Sequence, residues 1–167
     1  MAAGITYFPI ATTTLGSSQA EVTFNSFSGY TDLVLIVSAT PVAAGTWNLE
    51  MRFNNDTGSN YSRTVLSGDG STAQSDRQSN QTLMNCVYNA ALSSTRSVDI
   101  IQIMNYANST TNKTCLVRAN NTASGQGTDA IVGLWRNTNA ITEIDLFTSG
   151  TSFATGSTFT LYGIAAA

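Results

Sequence analysis

Trp47-Asn48-Leu49-Glu50-Met51-Arg52-Phe53-Asn54 is the stretch on which the fold turns. Apolar side chains at 47, 49, 51 and 53 alternate with polar ones at 48, 50, 52 and 54. A period of two sends successive side chains to opposite faces of an extended chain, so the segment reads as a β-strand buried on one side. Upstream, Leu33-Val34-Leu35-Ile36-Val37 is an unbroken apolar run. It is too short for an ordinary helix and rich in β-branching, and reads as a central strand covered on both faces. Ile5–Ile10 reads as a first strand, with Pro9 confining it to a sheet edge or a bulge. Glu21–Asn25 reads as a second, followed by a turn at Ser28-Gly29.

Downstream, Tyr61–Leu66, Ser97–Tyr106, Lys113–Asn120, Asp129–Arg136, Ile141–Thr148 and Ser157–Ile164 repeat the rhythm of a short apolar segment between Gly, Asn, Ser and Thr clusters. Ser67–Gln81 reads as a long polar loop, beyond the usual connection length. Thr82–Leu92 fits either a short helix or an irregular strand. About ten strands without a sustained helical pattern predict an all-β chain. The expected architecture is a single antiparallel β-sandwich over residues 1–167, most simply a jelly roll. Residues 1–15 are its expected N-terminal arm or edge strand.

Composition agrees. Of 167 residues, 10% are charged, against about 25% in an average domain. Ser, Thr and Asn fill the difference, and Lys113 is the single lysine. Such a surface repels neighbours weakly and suits a subunit with permanent partners or, equally, a secreted adhesin. The net charge is −3, and the arginines are scattered singly between Arg52 and Arg136. That argues against nucleic acid, which needs clustered Lys and Arg. No apolar run reaches the length of a membrane-spanning helix, and the first residues lack the basic and apolar regions of a signal peptide. No membrane partner is expected.

The chain has no histidine, which removes the commonest general base and metal ligand together with every Ser-His or Cys-His pair. No enzyme, cofactor or metal is expected. Carboxylates remain. Asp69 and Asp76 offer a conceivable glycosidase pair but read as solvated loop acids. Glu143 and Asp145 offer a cation site but read as a solvent strip opposite Ile144 and Leu146. Gly68-Asp69-Gly70 lacks the spaced acids of a calcium loop, and Gly125-Gln126-Gly127 is too short for a dinucleotide motif. The Asn-X-Ser/Thr triplets, such as those at Asn55 and Asn108, follow from composition. Cys86 and Cys115 read as small buried hydrophobes. Tyr30, Tyr61 and Tyr88 are candidate sugar-stacking rings, Trp47 and Trp135 read as core, and Lys113 as an exposed charge or one partner of a salt bridge.

The last third contains Ile103-Met104-Asn105-Tyr106, Asn112-Lys113-Thr114, Leu134-Trp135-Arg136-Asn137-Thr138, Ala140-Ile141-Thr142-Glu143-Ile144, Phe153, Gly156-Ser157 and Leu161-Tyr162-Gly163-Ile164. In this order the pieces resemble a pattern in small virion proteins of tailed phages, including cyanophages. The resemblance spans roughly residues 100–164 and implies a jelly-roll or β-sandwich unit that trimerises. It occurs as a capsid decoration (cement) protein or as a tail-fibre module. It carries no catalytic residues. The residues expected to build the motif and core are Trp47, Trp135, Ile141, Ile144, Leu146, Gly156, Leu161, Tyr162, Gly163 and Ile164. Those expected at an interface are Ile5, Tyr7, Phe8, Ile10, Asp69, Asp76 and Arg77. The expected function is capsid decoration by a homotrimer at the virion surface, in contact with the major capsid protein. The alternative is a receptor-binding fibre tip that recognises a host surface glycan or protein.

Overall fold

In the computed structural model, residues 6–123 and 125–165 are described. Among them there is no helix, and twelve strands form two antiparallel sheets. The strands are β1 (Tyr7–Thr14), β2 (Glu21–Phe24), β3 (Asp32–Ala39), β4 (Leu49–Phe53), β5 (Tyr61–Gly68), β6 (Ala73–Gln81), β7 (Met84–Asn85), β8 (Ser97–Met104), β9 (Lys113–Asn120), β10 (Thr128–Trp135), β11 (Ile144–Thr148) and β12 (Thr158–Ile164). The large sheet has the order β1-β12-β3-β8-β9-β10-β5-β6, and the small sheet β2-β11-β4-β7. The two sheets face each other across one core, which makes the molecule an antiparallel β-sandwich. An eight-and-four division of twelve strands exceeds the eight of a simple jelly roll, so the coarser description is the one the sheets support.

The alternation in β4 does what its sequence requires. Leu49, Met51 and Phe53 are fully buried, while Glu50 and Arg52 point outward. In β3 the run Leu33-Val34-Leu35 is buried throughout, flanked by β12 and β8, which accounts for its lack of alternation. At one end of the core, Phe53, Tyr61 and Trp135 pack together, with the Tyr61 and Trp135 rings stacked at 6.4 Å. Two glycines admit close approach. The Tyr30 ring lies over Gly163, where a Cβ would fall 2.3 Å from its carbons, and the Met84 thioether lies over Gly133.

Two expectations are corrected here, and one open reading is decided. Residues 67–81 are not a long loop: Ala73–Gln81 is β6, an edge strand paired with β5 over its length. Backbone bonding creates it with Ala73 as its single apolar side chain. Residues 82–92 hold no helix, only the two-residue β7 and a loop. That loop is pinned from a distance. The Asp129 carboxylate accepts backbone N–H groups of Tyr88, Asn89 and Ala90, and the Asn121 amide donates to the carbonyls of Ala91 and Thr95. Lys113 is neither exposed nor salt-bridged. It is fully buried, and its Nζ donates to the carbonyls of Thr111 (2.7 Å) and Thr138 (3.0 Å). Desolvation holds its pKa below the usual lysine value.

Candidate functional site

The inward face of the large sheet is a closed core, so function has to be sought on its outward face. Along β9, Lys113, Cys115, Val117 and Ala119 are buried, whereas Thr114, Leu116, Arg118 and Asn120 are exposed. The antiparallel register carries this division across the sheet. One outward row runs through Arg77, Thr64, Val132, Leu116, Gln102, Val34, Tyr162 and Pro9, one residue from each strand. The next runs through Ser75, Leu66, Ala130, Arg118, Ile100, Ile36, Thr160 and Thr12.

These rows are apolar at their centre and hold no carboxylate. Leu66 is 65% exposed, Val132 50% and Leu116 45%, with Met104 and Val98 exposed on the flanking positions of β8. Leu66, Leu116, Val132 and Ala130 line an open depression together with Gln102 and Arg118. Toward β1 the same face is better covered. Val34 is buried there, and Tyr7 meets Tyr162 edge to face at 6.5 Å. The outward face of the small sheet differs in kind. It carries Glu21, Glu50 and Asp145, with the Arg52 guanidinium over the Phe147 ring at 5.0 Å. Burial raises the Glu50 pKa, and Arg52 partly opposes the rise.

No protein-family model and no curated protein sequence matches this chain.

The expected interface residues do not meet. Ile5 lies outside the described residues. Tyr7, Phe8 and Ile10 belong to β1, and Asp76 and Arg77 to β6, at the opposite edge of the large sheet. Phe8 and Ile10 are half-buried and turn inward, Phe8 against Tyr30 and Ile10 against the core. Asp69 is occupied within its own turn: its carboxylate accepts from the backbone of Ser71 and Thr72 and from the Ser71 hydroxyl. These bonds hold its pKa below the usual value. Asp76 is 3.5 Å from the buried Arg63, which also donates to the Val87 carbonyl. The two acids therefore have separate structural partners.

Of the expected core residues, Trp135, Ile141, Ile144, Leu146 and Leu161 are buried. Ile141 precedes β11 rather than lying in it, its N–H bonded to the Tyr106 carbonyl. Gly156 turns the chain with φ at +80°. Trp47 is a correction. It is half-buried at the rim, outside β4, bridging Leu92 and donating its Nε1–H to the Ala43 carbonyl. In β12, Tyr162 and Ile164 alternate outward from the buried Leu161 and Gly163 and are half-buried, as a closing strand requires. Tyr61 is fully buried, its hydroxyl accepting the Phe53 N–H, and offers no face to a sugar. Tyr30 and Tyr88 are half-buried against the core.

Glu143 and Asp145 form no solvent strip. Asp145 is buried and accepts the Thr23 hydroxyl at 2.9 Å, while Glu143 accepts the Asn55 amide. No group of three potential metal ligands occurs among the described residues. Both cysteines are buried and unpaired, and burial raises both thiol pKa values.

The exposed residues Leu66, Leu116, Val132, Met104 and Arg118 were missed in the sequence. The signal was present: Ala130-Ile131-Val132-Gly133-Leu134 is as continuous an apolar run as Leu33–Val37, and the same two-sided reading applies to it.

Proposed function

We propose that this protein is a structural subunit of a phage virion, a capsid decoration protein that works without catalysis as a homotrimer and bridges the major capsid protein. The observation that carries the proposal is the outward face of the large sheet, a broad row-ordered surface, apolar at its centre and with no carboxylate in its two central rows. Exposed Leu66, Leu116 and Val132 gathered on neighbouring strands, rather than scattered singly, fit a subunit held in an assembly. The low overall charge and the resemblance of residues 100–164 to small virion proteins support the same reading. A shell under internal pressure gains from added buried area between its subunits. Several modest contacts from one oligomer hold by avidity where none is strong alone.

The test is to delete or strip the protein from the particle. Heads that lose resistance to heat and osmotic shock support decoration. Heads that stay resistant while host adsorption is lost contradict it and point to receptor binding.

A further inference from the structure

We infer that the outward face of the large sheet docks a protein partner that presents carboxylates beside apolar side chains. This rests on the proposed assembly, in which the partner is the virion surface beneath the chain, and it assigns that surface its chemistry. Charge selects the occupant. Of the charged side chains on the eight strands, Arg63, Asp76, Asp99, Lys113 and Asp129 turn inward. Those left outward are Arg77, Arg118 and Asp32. Asp32 stands at the very start of β3, and its carboxylate accepts the Asn105 N–H at 2.6 Å. Arg77 and Arg118 have no such partner. The Arg63–Asp76 pair is the one salt bridge among the described residues. A chain with ten acids and seven bases thus keeps its carboxylates off the centre of this face and leaves two unpaired guanidinium groups on it.

The position of Arg118 makes the charge decisive. It stands opposite Ala130 on one side and Ile100 on the other, and lines an open depression of about 340 Å³ with Leu66, Leu116 and Val132. An occupant that covers those three side chains also takes Arg118 out of water. A guanidinium buried without a counter-charge is strongly unfavourable, so the occupant has to bring an anion to it. A carboxylate matches the planar guanidinium fork with two parallel hydrogen bonds, and the arginine stem adds to the apolar contact. Other occupants fit worse. Nucleic acid would supply phosphate to two arginines only and set a polar backbone over leucine and valine. A glycan would set hydroxyls against the same aliphatic side chains, leaving them without partners.

Particles made without the chain, mixed with the purified chain and pelleted, test the inference. The parent chain is expected to rebind saturably. Leu116→Glu together with Val132→Glu is expected to abolish rebinding with an unchanged far-ultraviolet circular dichroism spectrum. Arg77→Gln together with Arg118→Gln is expected to weaken it about tenfold or more, because carboxylates are then left unpaired in the contact. Glu50→Gln on the small sheet is expected to change nothing. Converting the particles' carboxylates to amides, with a carbodiimide and glycinamide, is expected to weaken the parent as the arginine substitutions do, and to add no further loss for the double-glutamine variant. That step reads the parent chain itself, so it stands even where a variant fails to fold. A parent that does not rebind overturns the inference, as does rebinding that survives the face substitutions or the amidation. Equal weakening of parent and double-glutamine variant by amidation overturns it too, because the carboxylates then act elsewhere. A chain that binds purified host polysaccharide through this face, and not the particles, overturns it in favour of a glycan. Rebinding through the face with no gain in the heads' resistance to heat defeats decoration alone. Heads protected by a chain whose face has been substituted defeat the present inference alone.

Discussion

The two sides of the large sheet are made by the same strands and obey opposite rules. Inward, the side chains of Lys113, Cys115, Val117 and Ala119 on β9 are buried, and the Lys113 ammonium is held by two carbonyls. Outward, Leu116 and Val132 stand in solvent beside Arg118, with no acid in their rows. The inward side fixes one fold. The outward side contributes little to that fold and retains apolar surface that folding does not use. Residues of equal hydrophobicity thus have different roles according to the parity of their position.

The comparison is broken most severely from the inside. Trp135→Ala removes a buried ring that packs on Phe53 and Tyr61 and donates to Asp56 at 2.7 Å. A loss of about 3–5 kcal/mol is expected in urea unfolding, the range for deleting a large buried aromatic. Gly163→Ala drives a methyl group into the Tyr30 ring and is expected to cost about 1–3 kcal/mol, as overpacking does.

A third change tests the inward electrostatics. Asp99 is fully buried on β8, bonded to the Ser97 hydroxyl, flanked by Val37 and Ala119, with Asp129 one strand farther on. Burial pushes its pKa up to about 8, the Asp129 charge adds to the rise, and the Ser97 bond opposes it. The folded state therefore holds a proton that the unfolded state releases near pH 4. Stability is expected to fall as pH rises from about 4 to about 8. Asp99→Asn is expected to flatten that slope and, at pH 8, to be more stable than the parent by about 1–3 kcal/mol. Denaturant midpoints measured across this range decide it, and an unchanged slope contradicts the assignment.

The smallest effect belongs outside. Leu116→Ser is expected to shift the unfolding free energy of the isolated subunit by less than about 0.5 kcal/mol, as exposed substitutions do. A loss comparable to that of Trp135→Ala would erase the distinction between the two sides.

How much of this was legible in the sequence depended on what each element uses for stability. Leu49, Met51 and Phe53 announced β4 because burial makes that strand, and Leu33–Val37 announced a central strand for the same reason. β6 was hidden because Ala73–Gln81 has hardly an apolar side chain and is held by backbone bonds to β5, which leave no periodic mark. Lys113, Asp99 and Asp129 were hidden because a charge suggests solvent, whereas here carbonyls, a hydroxyl and backbone amides from distant segments receive them. The outward patch was hidden for another reason. Single strands showed its residues, but only the register aligns Val132, Leu116 and Gln102 into a row. The expected interface at β1 and β6 was drawn from chain position, and the strand order puts those two at opposite edges.

The most direct measurement is hydroxyl-radical footprinting of the chain, free and rebound to particles made without it, read residue by residue by mass spectrometry. The account predicts that Met104, Leu116 and Leu66 on the large sheet become protected on binding, while Phe147 on the small sheet is labelled equally in both states. Protection of Phe147 with Met104, Leu116 and Leu66 still fully labelled would contradict it.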